Sequence, residues 1–431
     1  MAIKASTVSY HWIPWVLGLA ILTLCCLSCS EHEKTGRVVL RYYLWGTPTV
    51  VALHQKVIDE FEKEHPEIKV QIDASSWGAY WDKLQVQLAS KTGPDVFWMS
   101  GAYYFNFRDE NTFLNLAPFI RHDSVDLSRH YLQNELFRDS SRIYGLPKDL
   151  TTVVLYYNKS MFDAQGVAYP DETWTWDDFL KAAQRLTKDL DGDGRPDQWG
   201  SATLMPWVEE YVAPMVFSNG GMILNEDRTT CLLDQPQAIQ AVQFMVDLMT
   251  KYQVCPGLGQ VVTVGGDPFS TGQVAMIQNI SALIPDYLKV SSFEWDIAPI
   301  PKSSHTNRRV TTSGGMINVI NSQTRHAAES WELVKFLSSE QAERILAQHK
   351  TFAVSLRHVA DSVFAVPPPL NIKEVLRAYD YSHDLQFTKN WIEWNNIVQR
   401  ELEPAFLGRK SVREACVAAA RAVDKVLEPT K

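Results

Sequence analysis

The sequence predicts an α/β protein built as more than one lobe, and three observations carry that reading. The chain has 431 residues, more than the roughly 100–200 of a single domain, which points to two or three lobes. An apolar share of 45% and a charged share of 21% suit packed cores and exclude a disordered or fibrous chain. Segments rich in β-branched and aromatic residues alternate with segments of helical periodicity, the pattern of a parallel sheet covered by helices.

The first element is an apolar run. Trp12 to Cys29 is preceded by Lys4 and His11 and followed by Ser30-Glu31-His32-Glu33-Lys34, which predicts an export signal over residues 1–28. Its 18 residues would also just reach across a hydrocarbon core of ~30 Å, so an uncleaved anchor stays open. Cys26-Leu27-Ser28-Cys29 resembles the box at which bacterial lipoprotein signals are cut. That resemblance implies a lipid on Cys29, residues 29–37 as a tether, and an exported protein held at a membrane.

Val38 to Trp45 reads as a strand ended by Gly46-Thr47-Pro48, and Val50, Leu53, Val57, Ile58 and Phe61 recur at helical spacing up to Pro66. Ile68–Ile72 reads as a strand, Tyr80–Ser90 as a helix and Asp95–Met99 as a buried strand. Ligands of such sheets gather beyond the carboxyl ends of the strands. That places Trp45, Trp77 and Ser100 to Tyr103 at a candidate site. Farther along, Val153–Asn158 reads as a strand, and Trp176–Leu190, Pro236–Tyr252 and a stripe from Val412 to Val426 read as helices.

Several segments together resemble the extracellular solute-binding protein family that delivers sugars to ABC importers, the group that contains maltose-binding protein. They are the strand ending in Trp45, Trp77-x-x-Tyr80, Gly93-Pro94-Asp95-Val96, Gly145-Leu146-Pro147 leading to Leu155-Tyr156-Tyr157-Asn158-Lys159, Trp174-Thr175-Trp176-Asp177-Asp178-Phe179, Asn219-Gly220-Gly221, Phe269 to Met276, and Trp295 to Pro301. The resemblance implies a type II periplasmic-binding-protein-like fold with two discontinuous, hinged lobes. One would comprise residues 38–149 with about 290–312, and the other 150–289 with about 313–431. The chain would cross between them near Lys148–Thr152, Val290–Trp295 and Thr311–Gly315. It also implies a monomer that binds a small solute between the lobes and docks on membrane permease subunits, with no catalytic step and no cofactor.

Sugars offer apolar C–H faces and a rim of hydroxyls, so aromatic platforms with a few directed polar groups hold them. The chain carries 14 Trp. Trp45, Trp77 and Tyr103 follow from the sheet rule, while Trp207 and Trp391 stand at predicted helix starts of the second lobe. The resemblance adds Asp149, Ser100, Asn279 and Ser313, and Thr47 and Gly314 complete the candidate set. A mono- or oligosaccharide is the expected solute, with glycerol phosphate or a glycerophosphodiester as the alternative. A surface carbohydrate-degrading enzyme is the reading from another class; it requires two converging carboxyl groups. The net charge of −9 argues against a nucleic-acid partner.

Asp189, Asp191, Asp193 and Asp197 follow the spacing of a calcium loop, with Gly194 at its sixth position, but Gly200 stands where the bidentate Glu belongs. An acidic turn accounts for the same residues. Glu209-Glu210 and Asp177-Asp178 read as solvated faces or caps, because helix neighbours do not face one another. Cys231 and Cys255 flank the Pro236 helix, where an exported chain permits either a disulfide or two buried thiols.

Overall fold

The computed structural model describes residues 36–109, 111–131, 141–203, 206–258, 267–350 and 352–427. The signal segment and the lipidation candidate Cys29 lie outside the described residues. No described helix is long and apolar enough to cross a membrane.

Strand β1 (Val38–Trp45) is followed by helix α1 (Pro48–Glu64), β2 (Ile68–Ser75), α2 (Trp77–Ala89), β3 (Val96–Ser100) and α3 (Gly101–Asp109). Pro48 starts α1 because its fixed φ and missing N–H suit a first turn. The α1 stripe Leu53, Val57, Ile58 and Phe61 is buried. β1 runs parallel to β2 along its whole length and to β3 at Tyr42 and Tyr43, as the alternating pattern predicts. Next come β4 (Gly145–Pro147), the long β5 (Asp149–Asn158), α4 (Trp176–Leu186), α5 (Ala213–Ser218), α6 (Pro236–Thr250), β6 (Met276–Ile280), β7 (Trp295–Ala298), β8 (Thr311–Gly314) and β9 (Met316–Ile320). A capping box between Thr175 and Asp178 starts α4. The chain ends with α7 (Ala327–Leu337), α8 (Glu340–Gln348), β10 (Ala353–Val354), α9 (Glu374–Asp380), β11 (Ser382–Asp384), α10 (Trp391–Phe406) and α11 (Val412–Leu427).

Two sheets result. The first has the order β2-β1-β3-β9-β4, with β9 antiparallel to both β3 and β4. The second has the path β10-β5-β8-β11, with β6 and β7 also paired to β5. One apolar cluster runs from the first sheet across the crossing strands to Tyr156, Ile277 and Ile297. A second, holding α4, α6, α10 and α11, fills the other side of the second sheet.

This topology differs from the lobe limits expected from sequence. Val290–Trp295 is not a crossing: β6 and β7 both lie antiparallel to β5, so residues 290–312 stay with the second sheet. Residues 316–348 return to the first, because β9 inserts between β3 and β4, whereas β10 pairs with Asp149 and Leu150 at the start of β5. The third crossing lies later. Phe364 still belongs to the turn that follows β10, whereas the Asn371 amide N–H donates to Asp296 of β7 at 2.9 Å, so the chain crosses through Pro367-Pro368-Pro369.

Cys231 and Cys255 are free and buried, as is Cys416. They stand at opposite ends of α6, a 15-residue helix whose length of roughly 22 Å is far beyond the reach of a disulfide. Burial pushes all three thiols up to about 12. A thiol-reactive dye is therefore expected to leave these three cysteines unlabelled in the native protein and to label them all in denaturant, as peptide mapping would read.

Candidate functional site

The carboxyl ends of β1, β2 and β3 carry a cluster of aromatic side chains. Trp45 meets Trp77 and Tyr80 edge-on, both at 4.8 Å between ring centroids, and Trp98 at 5.1 Å. Trp81, which the sequence reading passed over, stacks on Tyr103 at 3.8 Å with the planes 11° apart. It stands four residues after Trp77 on the same face of α2, a spacing that could have flagged it. Trp77 remains 46% exposed. Ser100, the last residue of β3, pairs with Met316 beside the crossing, and its Oγ accepts from the Ala102 N–H. Thr47 is exposed just before α1.

Two crossings are bound to one another at the floor. The Lys148 N–H donates to the Met316 carbonyl at 2.9 Å, and the Met316 N–H donates to Asp149 Oδ1 at 2.8 Å. Asp149 Oδ2 lies 2.7 Å from Lys148 Nζ, and that ammonium sits 3.9 Å over the Trp98 ring and 4.1 Å over Phe352. Asp149 is 3% exposed and both its oxygens are occupied. It is a hinge residue rather than the cleft-facing group expected. Below it, Glu343 accepts from Ser355 Oγ at 2.5 Å and from the Leu356 N–H at 2.6 Å.

The second lobe contributes a π-helical turn, Val208–Val212, beginning after Trp207. The Ala213 N–H bonds the Val208 carbonyl five residues back, and Pro214 has no N–H to give Glu210. The carbonyls of Glu209 and Glu210 are thereby released from the helix. Thr312 Oγ1 donates to the first at 2.8 Å and Gln278 Nε2 to the second. Glu209 Oε1 lies only 3.1 Å from where a Cβ on Gly314 would stand, so glycine is needed there to let the carboxylate reach the crossing. Gly315 beside it has φ +152°, a backbone conformation suited to glycine. Glu209 and Glu210 are thus not solvated helix faces; the π turn, invisible to a regular helical reading, brings Glu209 to the junction of the lobes, with Glu210 near enough to repel it.

Other expected residues are placed elsewhere. Trp391 is 4% exposed and packs edge-on against Phe387 and Trp394 inside the second core. Trp207 is half-buried against the same core. Asn279 is buried, its Oδ1 accepting from the Ile280 N–H. Ser313 is buried and bonded to Ser382. Across the cleft, a Cβ on Gly101 would stand 2.4 Å from Phe387, so its absence lets α3 of one lobe meet the segment before α10 of the other.

In the acidic loop, oxygens of Asp189, Asp191 and Asp197 lie within 4.8 Å of one another, while Asp193 turns to the Arg195 N–H. Asp189 accepts from the Gly192 and Gly194 amides, and Asp197 from Leu190 and Asp191. All three are exposed and close a turn of their own.

Burial pushes Glu343 up to about 8, and burial with repulsion from Glu210 raises Glu209. Burial likewise raises Glu210. Burial lowers His130 to about 4 and, aided by Lys148, His54 to about 3. A raised carboxyl stabilises the fold fully below its unfolded value of 4.5, and that contribution is lost as pH rises through the folded value. The histidines oppose this below their unfolded value of 6.5. The melting temperature should therefore rise as pH is lowered from about 8.5 to about 6.5 and then level off, with a shallower slope in Glu343→Gln.

Two lobes joined by two strand crossings and by the Pro367-Pro368-Pro369 segment, with an aromatic wall facing a hinge, define a two-lobed binding protein that closes on a solute. The chain belongs to the bacterial extracellular solute-binding protein family, whose sequence model matches residues 46–344. It is 24% identical over 347 residues to the arabinooligosaccharide-binding protein of Bacillus subtilis, covering 75% of each chain. Its fold matches an ABC substrate-binding protein of Listeria monocytogenes in complex with cycloalternan, with TM-score 0.81, 23% identity and coverage of 91% of this chain and 100% of the other. It also matches the GacH receptor of Streptomyces glaucescens, solved unliganded and with acarbose, with TM-score 0.77, 20% identity and coverage of 92% and 100%. These are binding proteins, not enzymes.

Proposed function

We propose that the protein is the saccharide-binding receptor of an ABC importer, exported, held at the membrane by a lipid on Cys29, and monomeric. The observation that carries the reading is the aromatic wall of Trp45, Trp77, Trp81 and Tyr103, whose exposed part suits the C–H face of a pyranose or furanose ring. The saccharide ligands of the relatives support it. An anionic glycerol phosphate fits less well, because Lys148, the cation at the hinge, is already paired with Asp149. No cofactor takes part.

Solute that touches both lobes binds the closed form more tightly and shifts the population toward it. Titration of the protein with neutral oligosaccharides should give a saturable change in tryptophan fluorescence and a smaller radius of gyration in solution scattering. Absence of both across malto-, cello-, manno- and arabino-oligosaccharides would refute the reading. Palmitate labelling that disappears in Cys29→Ser tests the anchor.

A further inference from the structure

Glu209 and Glu210 stand apart from the aromatic wall on the second lobe, and the fold ties their turn in place. We propose that the cleft selects saccharides bearing an amine, with the Glu209 and Glu210 carboxylates as the groups that receive the ammonium. The inference rests on the saccharide-receptor reading.

The backbone geometry is the first support. The π turn releases two carbonyls that are tied to Thr312 on β8 and to Gln278 on β6, which fixes the pair against both the crossing strand and the second sheet. A carboxylate held by its own backbone, at a position where glycine makes room for it, is pre-organised to receive a ligand.

The second support is what surrounds the carboxylates. Among the described residues no side chain or other residue's amide donates to either carboxylate, and none forms an ion pair with them, while both keep part of their surface. Desolvation raises both, and no cation is among the causes that offset it. Two adjacent, partly desolvated carboxylates without a cation repel one another. A ligand ammonium removes that repulsion and gains charge-assisted hydrogen bonds, whereas a hydroxyl supplies one neutral donor and leaves the repulsion in place.

The aromatic wall is the third support. The faces of Trp45, Trp77 and Tyr103 carry negative quadrupole potential, which attracts a cation and disfavours an anion. A protonated amino sugar therefore meets favourable potential from both walls.

Calorimetry on the full chain tests this with maltotriose, cellotriose, mannotriose and arabinotriose, each compared with its 2-amino- and 5- or 6-amino-deoxy derivatives. The amine-bearing member of at least one set is expected to bind about tenfold tighter than its neutral parent, the scale of a charge-assisted bond. That ratio should fall to about one in Glu209→Gln and in Glu210→Gln, each checked for a melting temperature no lower than wild type. Neutral members that bind with amines no tighter, or a tenfold ratio that survives both substitutions, would overturn the inference. Binding by no member at all would instead overturn the saccharide reading on which it rests.

Discussion

Replacing Asp149 with alanine is expected to destabilise the protein by about 3–5 kcal/mol, the scale seen when one partner of a buried ion pair is removed. The Lys148 ammonium is buried against Trp98 and Phe352, and burial already lowers its affinity for a proton. Asp149 is its ion-pair partner and also the acceptor for the Met316 N–H. Its loss strands a charge and a backbone donor together. Asp149→Asn keeps an oxygen for Met316 and should fall between wild type and alanine. Lys148→Met with Asp149→Leu removes both charges and should recover part of the loss, because a buried pair replaced by apolar groups is often close to neutral. The midpoint of urea unfolding reads all three. A loss in Asp149→Ala below about 1 kcal/mol would show that the pair behaves like an exposed one and does not tie the crossings.

That residue also shows where sequence reasoning stops. Leu146-Pro147-Lys148-Asp149 marks a crossing, but which way the carboxylate turns depends on Met316, 167 positions away. The first three strands and their ends were legible because each β-helix-β unit is local, and its periodicity switches within a few residues. The lobe limits were not. β7 follows β6 closely, and only its pairing with the far half of β5 assigns it to the second sheet, a choice that no local pattern records. Trp391 illustrates the same limit on a helix: a tryptophan at a helix start is equally compatible with a cleft wall and with a core, and the packing of α10 on α11 decides for the core. Glu209 and Glu210 failed for a different reason. Their placement comes from a π turn created where Pro214 cannot bond backward, which breaks the 3.6-residue period on which a sequence reading relies.

The tryptophans of the aromatic wall should separate into binding and folding roles when substituted one at a time. Trp77 is 46% exposed and touches its neighbours by edges, so Trp77→Ala removes little buried area. It should weaken saccharide binding roughly tenfold to a hundredfold, as loss of an interface anchor does, with little change in melting temperature. Trp81 is buried and holds the stacked Tyr103 ring; Trp81→Ala should lose about 3–5 kcal/mol of stability and weaken binding as Tyr103 loses its support. Trp391→Ala should cost a similar amount of stability and leave saccharide affinity of the folded fraction unchanged, because its ring faces Phe387 and Trp394 inside the second core. Affinity by calorimetry and stability by denaturation therefore give three different signatures from three residues of one type. Equal affinity in Trp77→Ala and wild type would remove the aromatic wall from the binding site, since an exposed indole with so few packing duties has no other evident reason to stand at the mouth of the first sheet.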